Sequence, residues 1–560
     1  MDLGDLETNG NAKETECLES HAETETGLDS DRIHISPVPK FFGFKQFKKF
    51  LKKHLPGIDL RKIRQMKFDA YVSFNSSEDA QTAISKLNGL EVRKVVLSAK
   101  LAQTEKRKVR IASTLPIKHK TAKESVTKFA DLSYREQLLQ KEKTSHRYTR
   151  PSPKVRAYRN KCEFTIGRTQ EGEMCVGFVG GRFSQNEHHV IPIDGLDNIT
   201  DSMKRIVEAV TKFVQDSGLP AFDETTRCGV WKMLTVREFG ADVMLILTVN
   251  PLENLEEEKK LKEGFCTSRS TFLDDGFRVT SIYWHSVANC SDKVDYEHIG
   301  GAPYIYETLL DCRFRVSPSA FFQTNSQAAS VLYTTIGESC GLSLCNDSRC
   351  SETVEISTKR AKLDVSCANL SFQDTTPDIN LKSCGSEDCG QTPTVILDIC
   401  CGTGTVGQFI VKEFKKRKRV YCIGVDIVDS AIADAKENAK VNGIRDMCCY
   451  LAGKAEDVFQ SLRFNVPPEF DLQKSDIVGV LDPPRCGVHE KVILGCRMME
   501  TLRHLVFVSC DPAAAMKNIV DLCRPTSKKY AGQPFMLSTI QPVDMFPQTP
   551  HIEWVVTLER

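Results

Sequence analysis

Between residues 394 and 512, short apolar runs alternate with stretches of helical spacing: TVILDI before TVGQFIVKEF, RVYCIGVDI before DSAIADAKENAKV, then SDIVGVLDPP and HLVFVSCDP. Such alternation implies a mostly parallel sheet with helices on its faces, because a parallel strand is reached only through a crossover long enough to hold a helix. In sheets of this kind ligands lie beyond the carboxyl ends of the strands. The strand ends are therefore the places where chemistry is expected.

The first strand runs into Asp398-Ile399-Cys400-Cys401-Gly402-Thr403-Gly404-Thr405, where glycines let the backbone pass close to a ligand before a helix begins. The spacing is G-x-G, and Gly407 falls one residue too early to complete a dinucleotide site. The second strand ends on Asp426, a carboxylate set to accept hydrogen bonds from ribose hydroxyls, and the following AGKAED stretch brings Asp457 to where an adenine lies. These strand ends describe a pocket for S-adenosylmethionine, with the Gly402 turn, Asp426 and Asp457 as expected contacts. A fourth strand ends in Leu481-Asp482-Pro483-Pro484-Arg485, whose prolines fix the backbone and remove donors where a substrate has to enter. An acidic residue before two prolines is frequent in nucleic-acid methyltransferases and leaves the target base and atom open.

The next strand delivers Cys510 to the same edge. Carbon 5 of a pyrimidine is a poor nucleophile until something adds to carbon 6, and a thiolate does this well. A base must then take the proton from carbon 5 so that the cysteine can leave. Taken alone, one strand-end cysteine among 22 reads as a small buried hydrophobe, so its company decides its role.

That company consists of five ordered segments, SPSAFFQTN, LDICCGTGT, LDPPRCG, VSCDP and FPQTPHIE, which over residues 151 to 560 resemble the RNA uracil-5-methyltransferase family. The resemblance implies a Rossmann-like class I S-adenosylmethionine-dependent methyltransferase fold of the α/β class, with Cys510 as nucleophile and Glu553 as general base. It also implies Gln323, Cys400, Thr405, Asp426 and Asp482 around the cofactor and the target base, and RNA as partner, the T-loop uridine of tRNA foremost. Asp544 and His551 are expected helpers in proton handling. Three departures stand out: Cys400 replaces a frequent Tyr or Phe, Thr405 a frequent Asn, and Asp511 the usual Asn after the nucleophile. A carboxylate beside the thiol is expected to raise its pKa and thin out the thiolate.

At 560 residues the chain is too long for one core. Residues 1–30 are acidic and poor in large apolar groups, which predicts a disordered tail. Residues 31–102 read β-α-β-β-α-β and resemble an RNA recognition motif, a ferredoxin-like fold whose sheet stacks bases on aromatic side chains, with His34 and Tyr71 at the stacking positions and Asp69 where an aromatic is usual. Residues 103–150 are expected to be a basic helical linker, 151–320 a β-rich domain, and 321–560 the methyltransferase domain with a disordered insertion at 338–392. In the β-rich domain Tyr158, Arg159, Asn160, Phe178 and Trp231 are candidate RNA grips, joined by Arg485, since splayed bases stack on aromatics and phosphates attract Arg.

The formal net charge of +1 hides this segregation of an acidic start from a basic stretch up to residue 160. No apolar run reaches membrane-spanning length, and the cysteines lack zinc-like spacing, so neither membrane nor metal is expected. The acidic start fits no secretory or mitochondrial signal, and Lys359-Arg360-Ala361-Lys362-Leu363-Asp364 resembles a nuclear-import signal, so a cytosolic or nuclear address is expected. Two rivals to a uridine methylase are an RNA-binding chaperone or adaptor whose chemistry has lapsed, and an enzyme acting on carbon 5 of another RNA pyrimidine. Oligomeric state leaves no trace in the sequence.

Overall fold

The computed structural model describes residues 31–39, 42–66, 69–92, 95–102, 121–180, 189–223, 226–267, 278–288, 295–341, 392–459 and 461–560. The expected acidic tail, the segment Lys359 to Asp364 and nearly all of the expected insertion lie outside these residues. The chain divides into two compact units between Lys118 and His119.

In the first unit, the strands Arg32–Ser36, Lys62–Gln65, Ala70–Ser73 and Ser98–Leu101 form one antiparallel sheet in which Arg32–Ser36 and Ala70–Ser73 are central. Side chains alternate across a strand, so Ile33, Ile35, Ala70 and Val72 face inward against Phe47 and Leu51 of the helix Phe44–His54 and Ala80 and Ala83 of the helix Ser77–Leu87. This strand order with two helices on one face is the ferredoxin-like arrangement expected from the sequence. On the other face His34 pairs with Tyr71 across the ladder, their rings 4.7 Å apart, and Arg32 lies over the Tyr71 ring.

The second unit contains two seven-stranded sheets. The first runs Glu297–Gly301, Arg278–Ser286, Asp242–Val249, Trp231–Phe239, Lys161–Arg168, Met174–Gly180, His189–Ile191. Its hairpin turns at Phe239-Gly240-Ala241, with Gly240 at φ +57°; alternation of apolar and polar residues predicts a half-buried hairpin there, but Val243–Val249 are buried at every position, on both faces of the sheet. One pairing, Asp242–Val249 with Arg278–Ser286, is parallel and is bridged by the helix Leu255–Thr267; the sequence pattern of this β-rich stretch predicts one helix, near 200 to 217, which is present as Asp201–Asp216, and does not predict the second. Trp231 is fully buried in this core, its indole donating to Ser217, and is no RNA contact; Phe178 packs on Phe164.

The second sheet runs Cys448–Ala452, Val420–Asp426, Thr394–Ile399, Asp476–Leu481, Leu502–Ser509, Glu553–Glu559, Met536–Val543. Its first five strands are parallel, as the strand and helix alternation requires, and the last two are antiparallel additions. Gly479 lies so close to Leu505 that an added Cβ would come within 2.7 Å of it.

Two expected boundaries are not breaks in the packing. The hairpin Ile305–Leu309 with Cys312–Val316 buries Ile305, Phe314 and Val316 in one core that Met244 and Ile246 of the first sheet share with Ile410, Val480 and Val555, so this core runs across the join expected at residue 320. The described part of the expected linker is integral to the second unit: Lys141 of the helix Tyr134–Ser145 is completely buried. Apolar burial marks such joins better than composition does.

Candidate active site

Beyond the carboxyl ends of the parallel strands lies a cavity of about 1310 Å³. Gln323, Cys400, Gly402, Thr405, Asp426, Asp482, Arg485, Cys510 and Glu553 all line it, as does Arg159 of the β-rich part. Residues read from segments up to 394 positions apart thus converge on one space.

The glycine turn makes the floor. Cys400, Gly402 and Gly404 all take positive φ, at 64°, 53° and 76°, a conformation that a side chain such as that of Cys400 adopts only where its surroundings enforce it. The enforcement is visible: the Cys401 amide donates to Val425, and the Gly402 amide to the Asp426 carboxylate at 2.9 Å. The other Asp426 oxygen accepts from the Val428 amide at 2.9 Å. Both oxygens retain acceptor capacity. A Cβ placed on Gly402 would meet nothing within 4 Å, so the backbone there is open to a ligand. Behind the turn, burial pushes the Asp398 carboxyl up to about 7 while it accepts the Gly407 amide.

Cys510 and Glu553 are brought together by strand pairing. Ser509 pairs with Trp554 in the antiparallel ladder, so the next residue along each strand edge is Cys510 on one side and Glu553 on the other. Burial, then the Glu553 carboxylate, raises the Cys510 thiol above its usual range, and the Arg485 guanidinium acts against this. Burial and then Asp482 raise Glu553 well above the usual carboxylate range, and Arg485 again opposes. Burial pushes Asp482 up to about 6. Burial and then the Arg485 charge lower the pKa of His551, which also lines the cavity.

Asp511, read from sequence as a drag on the thiol, has a different use. Its carboxylate accepts the Ala514 amide at 3.1 Å and caps the helix Pro512–Cys523. The thiol therefore sits just before a helix N-terminus, where the macrodipole favours an anion.

Three expected contacts fall elsewhere. Asp457 points away into solvent, and Glu456, one helical step earlier on the short helix Ala455–Val458, lines the cavity in its place. A step of one residue rotates a helical side chain by about 100°. Tyr158 is buried and donates to the Pro547 carbonyl at 2.9 Å. Asn160 is buried too, donating to the Gln323 carbonyl at 2.9 Å and the Ser326 hydroxyl at 2.8 Å. Both side chains are thus spent on partners within the chain, next to the Gln323 and Pro547 segments. Sequence reading missed Tyr333, which donates to the Thr405 hydroxyl at 3.1 Å, and the wall made by Val126, Thr144 and Ser145. Neither has a local signal, since each depends on packing between distant segments. Among the described residues, no helix is long and apolar enough to cross a membrane, and no group of three or more His, Cys, Asp or Glu could hold a metal ion.

Residues 392–542 match the family model for a methyltransferase domain. The chain is 30% identical to the tRNA (uracil-5-)-methyltransferase homolog A of Mus musculus, over 94% of this chain and 84% of the mouse protein. It is 30% identical to homolog B of Pongo abelii, over 73% of this chain and 74% of that protein. In fold it is similar to the crystal structure of Pyrococcus abyssi tRNA (uracil-54, C5)-methyltransferase in complex with S-adenosyl-L-homocysteine, with a TM-score of 0.51 and 21% identity, covering 84% of this chain and 91% of that one. With these five segments on one cavity and identity running nearly end to end, the chain belongs to the tRNA (uracil-5-)-methyltransferase family.

Proposed function

We propose that this protein methylates carbon 5 of a uridine in tRNA with S-adenosylmethionine as donor, Cys510 acting as nucleophile and Glu553 as base. The observation that carries the reading is the meeting of these two residues at adjoining ends of paired strands, on one cavity with the open Gly402 backbone and Asp426. The archaeal neighbour, a tRNA (uracil-54, C5)-methyltransferase, supports uridine 54 as the target.

The residues present fit the cofactor. Asp426 suits ribose hydroxyls, the Gly402 backbone admits close approach, and Glu456 lies on the same wall. When bound, S-adenosylmethionine supplies an electrophilic methyl group. The protein's own residues do the rest: the Cys510 thiolate bonds to carbon 6 of the uracil, which makes carbon 5 nucleophilic toward the methyl group. Glu553 then accepts the proton from carbon 5, the electron pair re-forms the 5,6 double bond, and the thiolate departs. On this reading Asp482 and Gln323, which line the same cavity, accept and donate toward the base, and Arg485 stabilises the thiolate.

The test uses tRNA containing 5-fluorouridine. Fluorine cannot leave as a proton, so a denaturation-resistant protein–RNA complex is expected, absent in Cys510→Ala. Measured binding of tRNA and cofactor without any such complex would favour an RNA-binding adaptor instead.

A further inference from the structure

The segment that carries His551 and Glu553 has no regular structure of its own between Asp544 and Ile552. It is held from outside, by residues 129–158. Phe129 donates its amide to the Gln548 carbonyl at 2.9 Å, and the Gln548 amide donates to Gln137 at 2.6 Å. The Gln548 side chain donates to the Val155 carbonyl at 3.1 Å, and Tyr158 to that of Pro547. Gln548 takes φ +67°, a conformation that persists in a non-glycine residue only where neighbours over-determine it.

At the centre of this hold is an ion pair. Lys141 Nζ lies 2.6 Å from Asp544 Oδ1 and 3.0 Å from the Phe546 carbonyl, and both charged side chains are 0% exposed. The same Asp544 oxygen accepts the Phe546 amide at 3.1 Å. Full burial excludes a role for Lys141 in gripping phosphate. It also makes the pair a poor device for stability, since desolvating two charges offsets most of their attraction and an apolar pair of like volume serves as well. What a charged, hydrogen-bonded pair supplies and an apolar one lacks is a fixed direction.

We propose that Lys141 is a positioning residue for the reaction: through Asp544 it sets the Phe546–Glu553 segment, so that the helix Tyr134–Ser145 is a working part of the active site. This rests on the reading of Glu553 as base. A misplaced base slows the step that follows methyl transfer, so the covalent complex accumulates on ordinary tRNA.

The experiment compares full-length Lys141→Met, the double variant Lys141→Met/Asp544→Asn and Glu553→Gln. Asn at 544 keeps the acceptor for the Phe546 amide and removes the unpaired buried charge, so the double variant separates stability from positioning. Expected in both Lys141 variants is a fall in kcat of about tenfold to a hundredfold, with KM for tRNA and for cofactor essentially unchanged and a denaturation-resistant complex on unfluorinated tRNA. The double variant should recover the melting temperature and remain slow. A double variant that recovers both stability and turnover overturns the proposal, as does a rise in KM for tRNA with kcat intact. Normal turnover in Glu553→Gln would sink the base assignment itself, whereas trapping in Glu553→Gln with full turnover in the double variant sinks only the role given to Lys141.

Discussion

Asp482 raises the proton affinity of Glu553: the half-buried first carboxylate and the buried second share one cavity, and the charge of the first makes ionisation of the second harder. Both Glu553 and Cys510 must be deprotonated to act as proposed, so the rate falls as pH falls through their raised values. Arg485 opposes both shifts. Asp482→Asn should therefore move the acid limb of the kcat profile to lower pH, and Arg485→Gln should move it to higher pH, whatever either does to the maximal rate. Limbs that stay in place in both variants would show that another group controls the profile.

Removing the nucleophile or the base should separate cleanly from removing affinity. Cys510→Ala is expected to lose at least about a thousandfold in methyl transfer, and Glu553→Gln about a hundredfold to ten-thousandfold, with tRNA retention on a filter little changed in either.

Asp398 links stability to pH. Its carboxyl rises from 3.8 to about 7 on burial, so the folded chain keeps a proton that the unfolded chain releases in that window. Stability attributable to this group is present below 3.8 and is lost as pH rises through about 7, with a slope of up to about 1.4 kcal/mol per pH unit. Asp398→Asn can keep the bond from the Gly407 amide and should flatten this part of the melting temperature against pH curve. A curve with unchanged slope in the variant would remove Asp398 as its source.

Arg497, on the helix Glu490–Met498, is completely buried and donates to the carbonyls of Asp521, Leu522, Arg524, Tyr530, Ala531 and Gly532, which ties the end of the helix Pro512–Cys523 and the loop after it to that helix. Arg497→Met fills the space and removes a donor from each of those carbonyls; Leu522 keeps the Phe535 amide, Tyr530 the Ser527 amide and Gly532 the Thr526 hydroxyl, and each of the others that water cannot reach costs roughly 1–3 kcal/mol. A loss of about 3 kcal/mol or more is expected in urea unfolding, and a loss below about 1 kcal/mol would mean that water replaces the guanidinium.

Asn160 reports on the Gln323 segment. With the bonds to the Gln323 carbonyl and the Ser326 hydroxyl gone, Asn160→Ala should raise KM severalfold, as loss of one buried bond of about 1 kcal/mol implies, while kcat changes less. An effect on kcat alone would place Asn160 with the chemistry.

The sequence made the methyltransferase sheet and its strand-end residues readable because both follow from local rules. Alternation of strand and helix selects a parallel sheet, and the sheet puts Asp426, Asp482 and Cys510 on one edge. Helical phase is also local, yet the short helix Ala455–Val458 is too brief to show it, and Asp457 was chosen where Glu456 faces in. Tyr158 and Asn160 have the polarity of surface grips but spend it on main-chain carbonyls from residues 323 and 547. Asp511 looked like a charge beside the thiol because adjacency in sequence says nothing of where a side chain turns, and here it turns to the Ala514 amide. Lys141 was one lysine in a basic stretch, and nothing near it in sequence announces a partner at Asp544.

The span between those two residues, 403 positions, has a consequence for how the protein fails. A contact that closes so long a loop forms late and opens early relative to the sheets it joins. In mild denaturant the fraction of molecules able to turn over should therefore drop before the fraction that is folded, since local opening of one helix against one loop needs far less free energy than global unfolding. For this protein, being folded and being competent are two separate equilibria.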